Sequence, residues 1–138
     1  MAKFDPNRLT FEQGIERIKE ASARAGFKLG KKIVTSRDKP AIKAVNALEV
    51  KNVPEGFKKF QLPVFFSCAT QTYLSFAAPG VKVPEHSHHD GPGIRVIISG
   101  SIKFSGKELS EGDWMYIPAG AKYRFEVGPR GVGMFYCY

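Results

Sequence analysis

The chain has 138 residues, 43% of them hydrophobic and 25% charged, which is room for one domain of ordinary globular composition and excludes a disordered or collagen-like chain. No stretch approaches the roughly 18 apolar residues of a membrane span, and Met1 to Arg8 carry no secretory hydrophobic segment, so a cytoplasmic protein is expected. The net charge of +8 comes from 14 basic and 7 acidic residues in 1–60 against 7 and 6 in 61–138. These cations stand singly, with no RNA-binding aromatic strand or zinc finger, so a solvated basic face or an anionic small molecule is expected rather than nucleic acid.

Thr10 and Gln13 have the spacing of a capping box. From there Phe11, Ile15, Ile18, Ala21 or Ser22, and Ala25 recur at intervals of three and four up to Gly26, which predicts one N-terminal helix covering a sheet. Residues 28–60 are broken by Pro40, Pro54 and Gly56. They read as an arm with edge strands over Ile42–Val50 and Phe57–Leu62, and no second helix suggests itself. Beyond them, β-branched and aromatic segments are cut by glycine and proline at intervals of roughly ten residues. Strands are predicted at Val64–Ala77, Val81–His88, Ile94–Ile98, Ser101–Phe104, Asp113–Ile117, Lys122–Val127 and Gly133–Tyr138. Turns are predicted between them, including Gly128-Pro129-Arg130-Gly131. Cys68 and Cys137 lie far apart without a C-x-x-C spacing and are expected as reduced, buried thiols.

All three histidines fall within Glu85-His86-Ser87-His88-His89-Asp90. On a strand His86 and His88 share a face about 6.6 Å apart, so two imidazoles can converge on one cation while His89 points away. The other reading is a pair of exposed or core histidines beside a turn. Asp90 has the same parity, which makes two histidines and a carboxylate, the set that suits non-haem Fe(II). In a straight strand Asp90 lies about 13 Å from His86, so it joins only if Gly91-Pro92-Gly93 curls the backbone back. Glu85 has the opposite parity and is expected in solvent. His88-His89-Asp90 also looks like the H-x-D of 2-oxoglutarate oxygenases, but no downstream histidine exists to complete it.

Gly80, His86, Ser87, His88 and Gly100 match G-x5-H-x-H-x(3,4)-E-x6-G, and Gly112, Pro118, Ala119 and Gly120 match the start of G-x5-P-x-G-x2-H-x3-N. With these two motifs, residues 64–138 resemble the cupin superfamily. The resemblance implies an all-β fold, an antiparallel double-stranded jelly-roll barrel with one N-terminal helix, as a single domain over 1–138 that often forms a homodimer. It also implies a metal or ligand site inside the barrel. The chain departs from the motifs at Gly93, where the glutamate is expected, at Tyr123, where the second motif has histidine, and at Val127, where it has asparagine. Only His86 and His88 of the usual ligands carry over.

Tyr123-Arg124-Phe125-Glu126-Val127 alternates apolar and charged residues, which puts Tyr123 on the buried face. A phenol there is a poor ligand for a divalent ion and a good hydrogen-bond donor, or else a packed aromatic. Arg95 interrupts an apolar strand two residues past Gly93. Facing inward it would hold a carboxylate or enolate; the alternative is an outward strand arginine. Gln71 and Tyr73 are further candidates for the cavity wall. The expected function is that of a metal-dependent enzyme acting on a small, anionic or carbonyl-containing molecule. Fe(II) dioxygenase-like oxidation leads, with nickel, zinc, manganese or copper as other metals. Metal-assisted isomerisation or cyclisation, and a non-catalytic ligand-binding cupin, are the alternatives.

Overall fold

The computed structural model describes residues 8–55, 58–66, 71–89 and 91–138. The chain divides into two compact units, the first formed by Met1–Lys28 and Asp38–Phe65, the second by Leu29–Arg37 and Phe66–Tyr138. No described helix is long and apolar enough to cross a membrane.

In the first unit, helix α1 spans Phe11–Ala25. The Thr10 hydroxyl accepts from Gln13 N–H at 3.1 Å, and Gln13 Oε1 accepts from Thr10 N–H at 2.8 Å, so two otherwise orphaned donors are satisfied reciprocally. Gly26 ends the helix in the left-handed region with φ 70°. Ile18 and Ala21 of α1 bury against Leu48, with Ile15 beside them. A second helix, α2, runs over Lys39–Ala47 and replaces the edge strand expected over Ile42–Val50. Pro40 is not a breaker there, because it sits in the first helical turn, where its missing N–H would have no partner in any case. Ala41 and Ala44 then recur on one buried face. After α2 the chain folds back on itself through the Glu49–Phe60 bridge. Arg17 ties this return to α1, donating to the carbonyls of Leu48 and Glu49 and to Gln61 Oε1.

The described residues of the second unit form an antiparallel sheet of seven strands: β1 Val34–Thr35, β2 Thr72–Ala77, β3 Lys82–His86, β4 Gly93–Phe104, β5 Lys107–Ser110, β6 Trp114–Ile117 and β7 Tyr123–Cys137. The order is β1-β6-β4-β7-β2, with β3 also on β7 and β5 also on β4. The predicted antiparallel β class holds for this unit, although the described ladder does not close on itself. Its core is Ile97, Ile102, Leu109, Met115, Ile117, Tyr123, Phe125, Val127, Val132, Met134 and Tyr136.

Two predicted breaks are absent. Ile94–Ile98 and Ser101–Phe104 belong to one strand, β4, bent where its register against β7 slips between Ile97 and Ser99 and between Gly100 and Ile102. Lys122–Val127 and Gly133–Tyr138 likewise belong to one strand, and residues 128–131 form an irregularity within β7 rather than a reversal. Each irregularity switches which parity faces the core. Arg95 and Ile97 give way to Ile102 along β4, and Tyr123, Phe125 and Val127 give way to Val132, Met134 and Tyr136 along β7. Cys137 is a free thiol, half-buried rather than fully buried, and Cys68 lies outside the described residues.

Candidate functional site

The site lies in the second unit where β3, β4 and β7 meet. β3 pairs with the first half of β7, and its last residue, His86, stands opposite Tyr123 in the register. The His88 carbonyl accepts from the N–H of Gly120 at 2.7 Å. Gly120 has φ 78°, so the left-handed glycine of the second motif holds the backbone of the first.

His86 Nδ1 lies 2.8 Å from the Pro84 carbonyl. A carbonyl can only accept, so Nδ1 carries a proton, and in the neutral ring the lone pair is on Nε2. The rings of His86 and His88 are 5.2 Å apart and nearly perpendicular, and the His86 ring lies 4.5 Å from that of Tyr123. His88 Nε2 is 3.1 Å from Tyr123 Oη, which also accepts from Arg95 Nη2 at 3.1 Å. The guanidinium only donates, so the phenol oxygen accepts from Arg95, while the sense of the His88 contact is set by the tautomer of that ring. Arg95, Tyr123 and His88 thus form one continuous chain of hydrogen bonds.

Arg95 faces inward and is 7% exposed. Its guanidinium lies over the ring of Tyr136 at 4.5 Å and that of Phe125 at 5.7 Å, and Nη1 reaches Met134 Sδ at 3.9 Å. Its Nε has no hydrogen-bond partner, nor does the buried hydroxyl of Tyr136. Among the described residues no carboxylate pairs with this arginine.

Tyr136 stands opposite Arg95 in the register, and the Cβ that any other residue would carry at position 93 lies 2.5 Å from its hydroxyl. The ring of Tyr136 therefore fills the place beside Gly93. Burial, with Tyr123 adding to it and Arg95 opposing it, pushes the Tyr136 phenol up to about 12. Below about pH 10 the phenol is protonated in both the folded and the unfolded chain. Between there and about 12 the unfolded chain gives up the proton first, so stability falls as pH rises through that window. Denaturant midpoints measured from neutral to alkaline pH should fall less steeply in Tyr136→Phe than in the parent protein.

Asp90 lies outside the described residues. Among the described residues no group of three or more His, Cys, Asp and Glu is placed to hold a metal ion. Glu85 and His89 are exposed, as expected. Gln71 and Tyr73 are also exposed and hydrogen-bond to each other, and Tyr73 approaches the cluster only by stacking on Tyr138. Tyr136 and Met134 were not among the residues singled out from sequence. The alternation of Val132, Met134 and Tyr136 was the available signal, hidden by the switch of parity at residues 128–131.

No family model matches the chain, and no curated relative does. Solved structures similar to it include a protein of unknown function with a cupin-like fold from Ralstonia eutropha, at 22% identity over 48% of this chain and 44% of that one, with a TM-score of 0.44. A cupin protein from Bacteroides fragilis is similar at 30% identity over 48% and 60%, with a TM-score of 0.40. A salicylate 1,2-dioxygenase from Pseudaminobacter salicylatoxidans is similar at 10% identity over 94% and 33%, with a TM-score of 0.41. The chain spans less than two thirds of the length of each of these structures. They are cupin-type or dioxygenase structures to which the chain is similar.

Proposed function

We propose that the second unit is a metal-dependent enzyme site that oxidises a small organic molecule, with His86 and His88 holding a divalent ion, Fe(II) first and nickel, zinc, manganese or copper as the alternatives. The observation that carries this reading is the fixed tautomer of His86. Its Nδ1 is committed to Pro84, so Nε2 is presented as a lone-pair donor beside a second imidazole. Two such nitrogens suit an ion that takes its other ligands from Asp90, substrate or water. For His88 to ligate through Nε2, the Tyr123 hydroxyl must give up its contact there. When bound, the metal supplies Lewis acidity and access to oxygen chemistry. This chain's own contribution is to orient the two imidazoles through Pro84 and Gly120 and to present the Tyr123 hydroxyl at their inner side.

Elemental analysis of protein purified without a histidine tag tests this. About one equivalent of metal per chain is expected, and none after reconstitution with each of these ions would overturn it.

Tyr123→Phe should keep the fold and the metal, at a stability cost of about 1 kcal/mol for the lost hydrogen bonds, while lowering turnover or ligand affinity about tenfold. Loss of the metal instead would make the phenol a ligand.

The proposed setting is the cytoplasm, as a homodimer. Leu74 and Phe76, 65% and 75% exposed on edge strand β2, support a second chain covering that strand. Light scattering should then give twice the 15.3 kDa chain mass.

A further inference from the structure

We infer that Arg95, with the hydroxyl of Tyr136, is a receiving site for the carboxylate of the substrate, and that it operates without the metal. The inference takes from the proposed function only the location of the site. A guanidinium keeps its charge at any pH a folded protein meets, and burying it without an anion is strongly unfavourable. Around Arg95 the described residues supply one phenol oxygen, one thioether sulfur and two ring faces, all of them neutral. Its Nε and the Tyr136 hydroxyl, on two side chains each more than nine-tenths buried, are left without acceptors. Two bare donors on neighbouring side chains, beside a positive charge with no counter-ion among the described residues, suit an anion with two acceptor oxygens.

The walls narrow the class. No lysine or second arginine touches this cluster among the described residues, so the charge suits a monoanion rather than a phosphate. The rings of Tyr123, Phe125 and Tyr136 suit an apolar or aromatic body behind the carboxylate. His86 and His88 are half-buried and stand at the solvent side of the cluster, which Tyr123 joins to the guanidinium through two hydrogen bonds. A carboxylate held on Arg95 therefore directs the rest of its molecule toward the two imidazoles.

The test is calorimetric titration of the full chain, stripped of metal by a chelator, with benzoate, acetate and formate, and with benzamide as the uncharged counterpart of benzoate. Benzoate should bind, benzamide should bind at least about tenfold more weakly, and Arg95→Lys should weaken benzoate about tenfold or more by removing the planar fork. Tyr136→Phe should weaken it severalfold. Because a change at a buried arginine can disturb folding, the unmodified protein provides a second readout. The Arg95 Nε–H resonance, the one that disappears in Arg95→Lys, should shift on adding benzoate and stay in place with benzamide; if that variant does not fold, the arginine Nε–H resonance that alone moves with benzoate serves. Failure of all three carboxylates to bind at about 10 mM, equal affinity for benzoate and benzamide, or unchanged affinity in folded Arg95→Lys would each overturn the inference. Benzoate binding only to metal-loaded protein would also overturn it while leaving the proposed function standing. Carboxylate binding by a protein that takes up no metal would uphold this site and overturn the metal reading.

Discussion

Gly100→Ala is expected to destabilise the second unit by about 3 kcal/mol or more and to lower its thermal midpoint by roughly 10 °C. Two costs combine at this position. Gly100 has φ 69°, a left-handed conformation that penalises any side chain by about 1 kcal/mol or more. The added Cβ would also lie 1.9 Å from the carbonyl oxygen of Gly131, a backbone atom that cannot swing aside. Relief requires β4 and β7 to separate where both are irregular, which disturbs the parity switch that turns Arg95 and Tyr136 inward together. Gly106 separates the two costs. Its φ is 77° but a Cβ there meets nothing within 4 Å, so Gly106→Ala should lose only the conformational part, about 1 kcal/mol. Equal midpoints for the two variants by circular dichroism would show that the close approach to Gly131 contributes nothing.

Changing both histidines, His86→Ala and His88→Ala, is expected to abolish metal binding while leaving the sheet folded. The core of the second unit is aliphatic and aromatic, and neither histidine belongs to it. The His88 backbone contact with Gly120 survives loss of the imidazole. The cost in stability should therefore stay near 1 kcal/mol, from the lost contacts with Pro84 and Tyr123. His89 is exposed, so His89→Ala should retain the full metal content. Metal content and circular dichroism of the three proteins decide this together. Stoichiometric metal in the double variant would remove both residues from the site.

Much of this arrangement was legible in the chain. The capping box at Thr10 and the glycine stop at Gly26 are local signals, satisfied within one helix, and α1 follows them. The inward face of Tyr123 follows from alternation along the first half of β7, whereas β3 is irregular between Val83 and His86 and ends at His86, so strand alternation does not account for the approach of His88 to His86. The features that sequence left open depend on pairing between distant strands. Pro40 reads from sequence as a breaker of edge strands, whereas it opens α2, whose end at Leu48 packs beside α1. Arg95 can point either way until β4 is registered against β7, where its partner is Tyr136. The loss of the glutamate at Gly93 is visible in the motif, but the filling of that space comes from a tyrosine 43 positions later. Alternation could not indicate it, because the irregularity at residues 128–131 reverses the parity in between.

β7 is the only described partner of both β2 and β3, and it follows both of them in the chain. During synthesis β2 and β3 emerge before β7, whereas α1, Leu48 and Gln61 of the first unit have all emerged before β2 begins. The second unit must therefore condense late, in a step whose long loop closures make it slow, on the order of milliseconds to seconds. The strand that ends in His86 acquires a fixed direction only in that step, when Tyr123 comes to lie opposite. The proposed ligand capture is for this reason coupled to that pairing, and a nascent chain halted before Tyr123 would display its histidines without the residue that stands opposite His86.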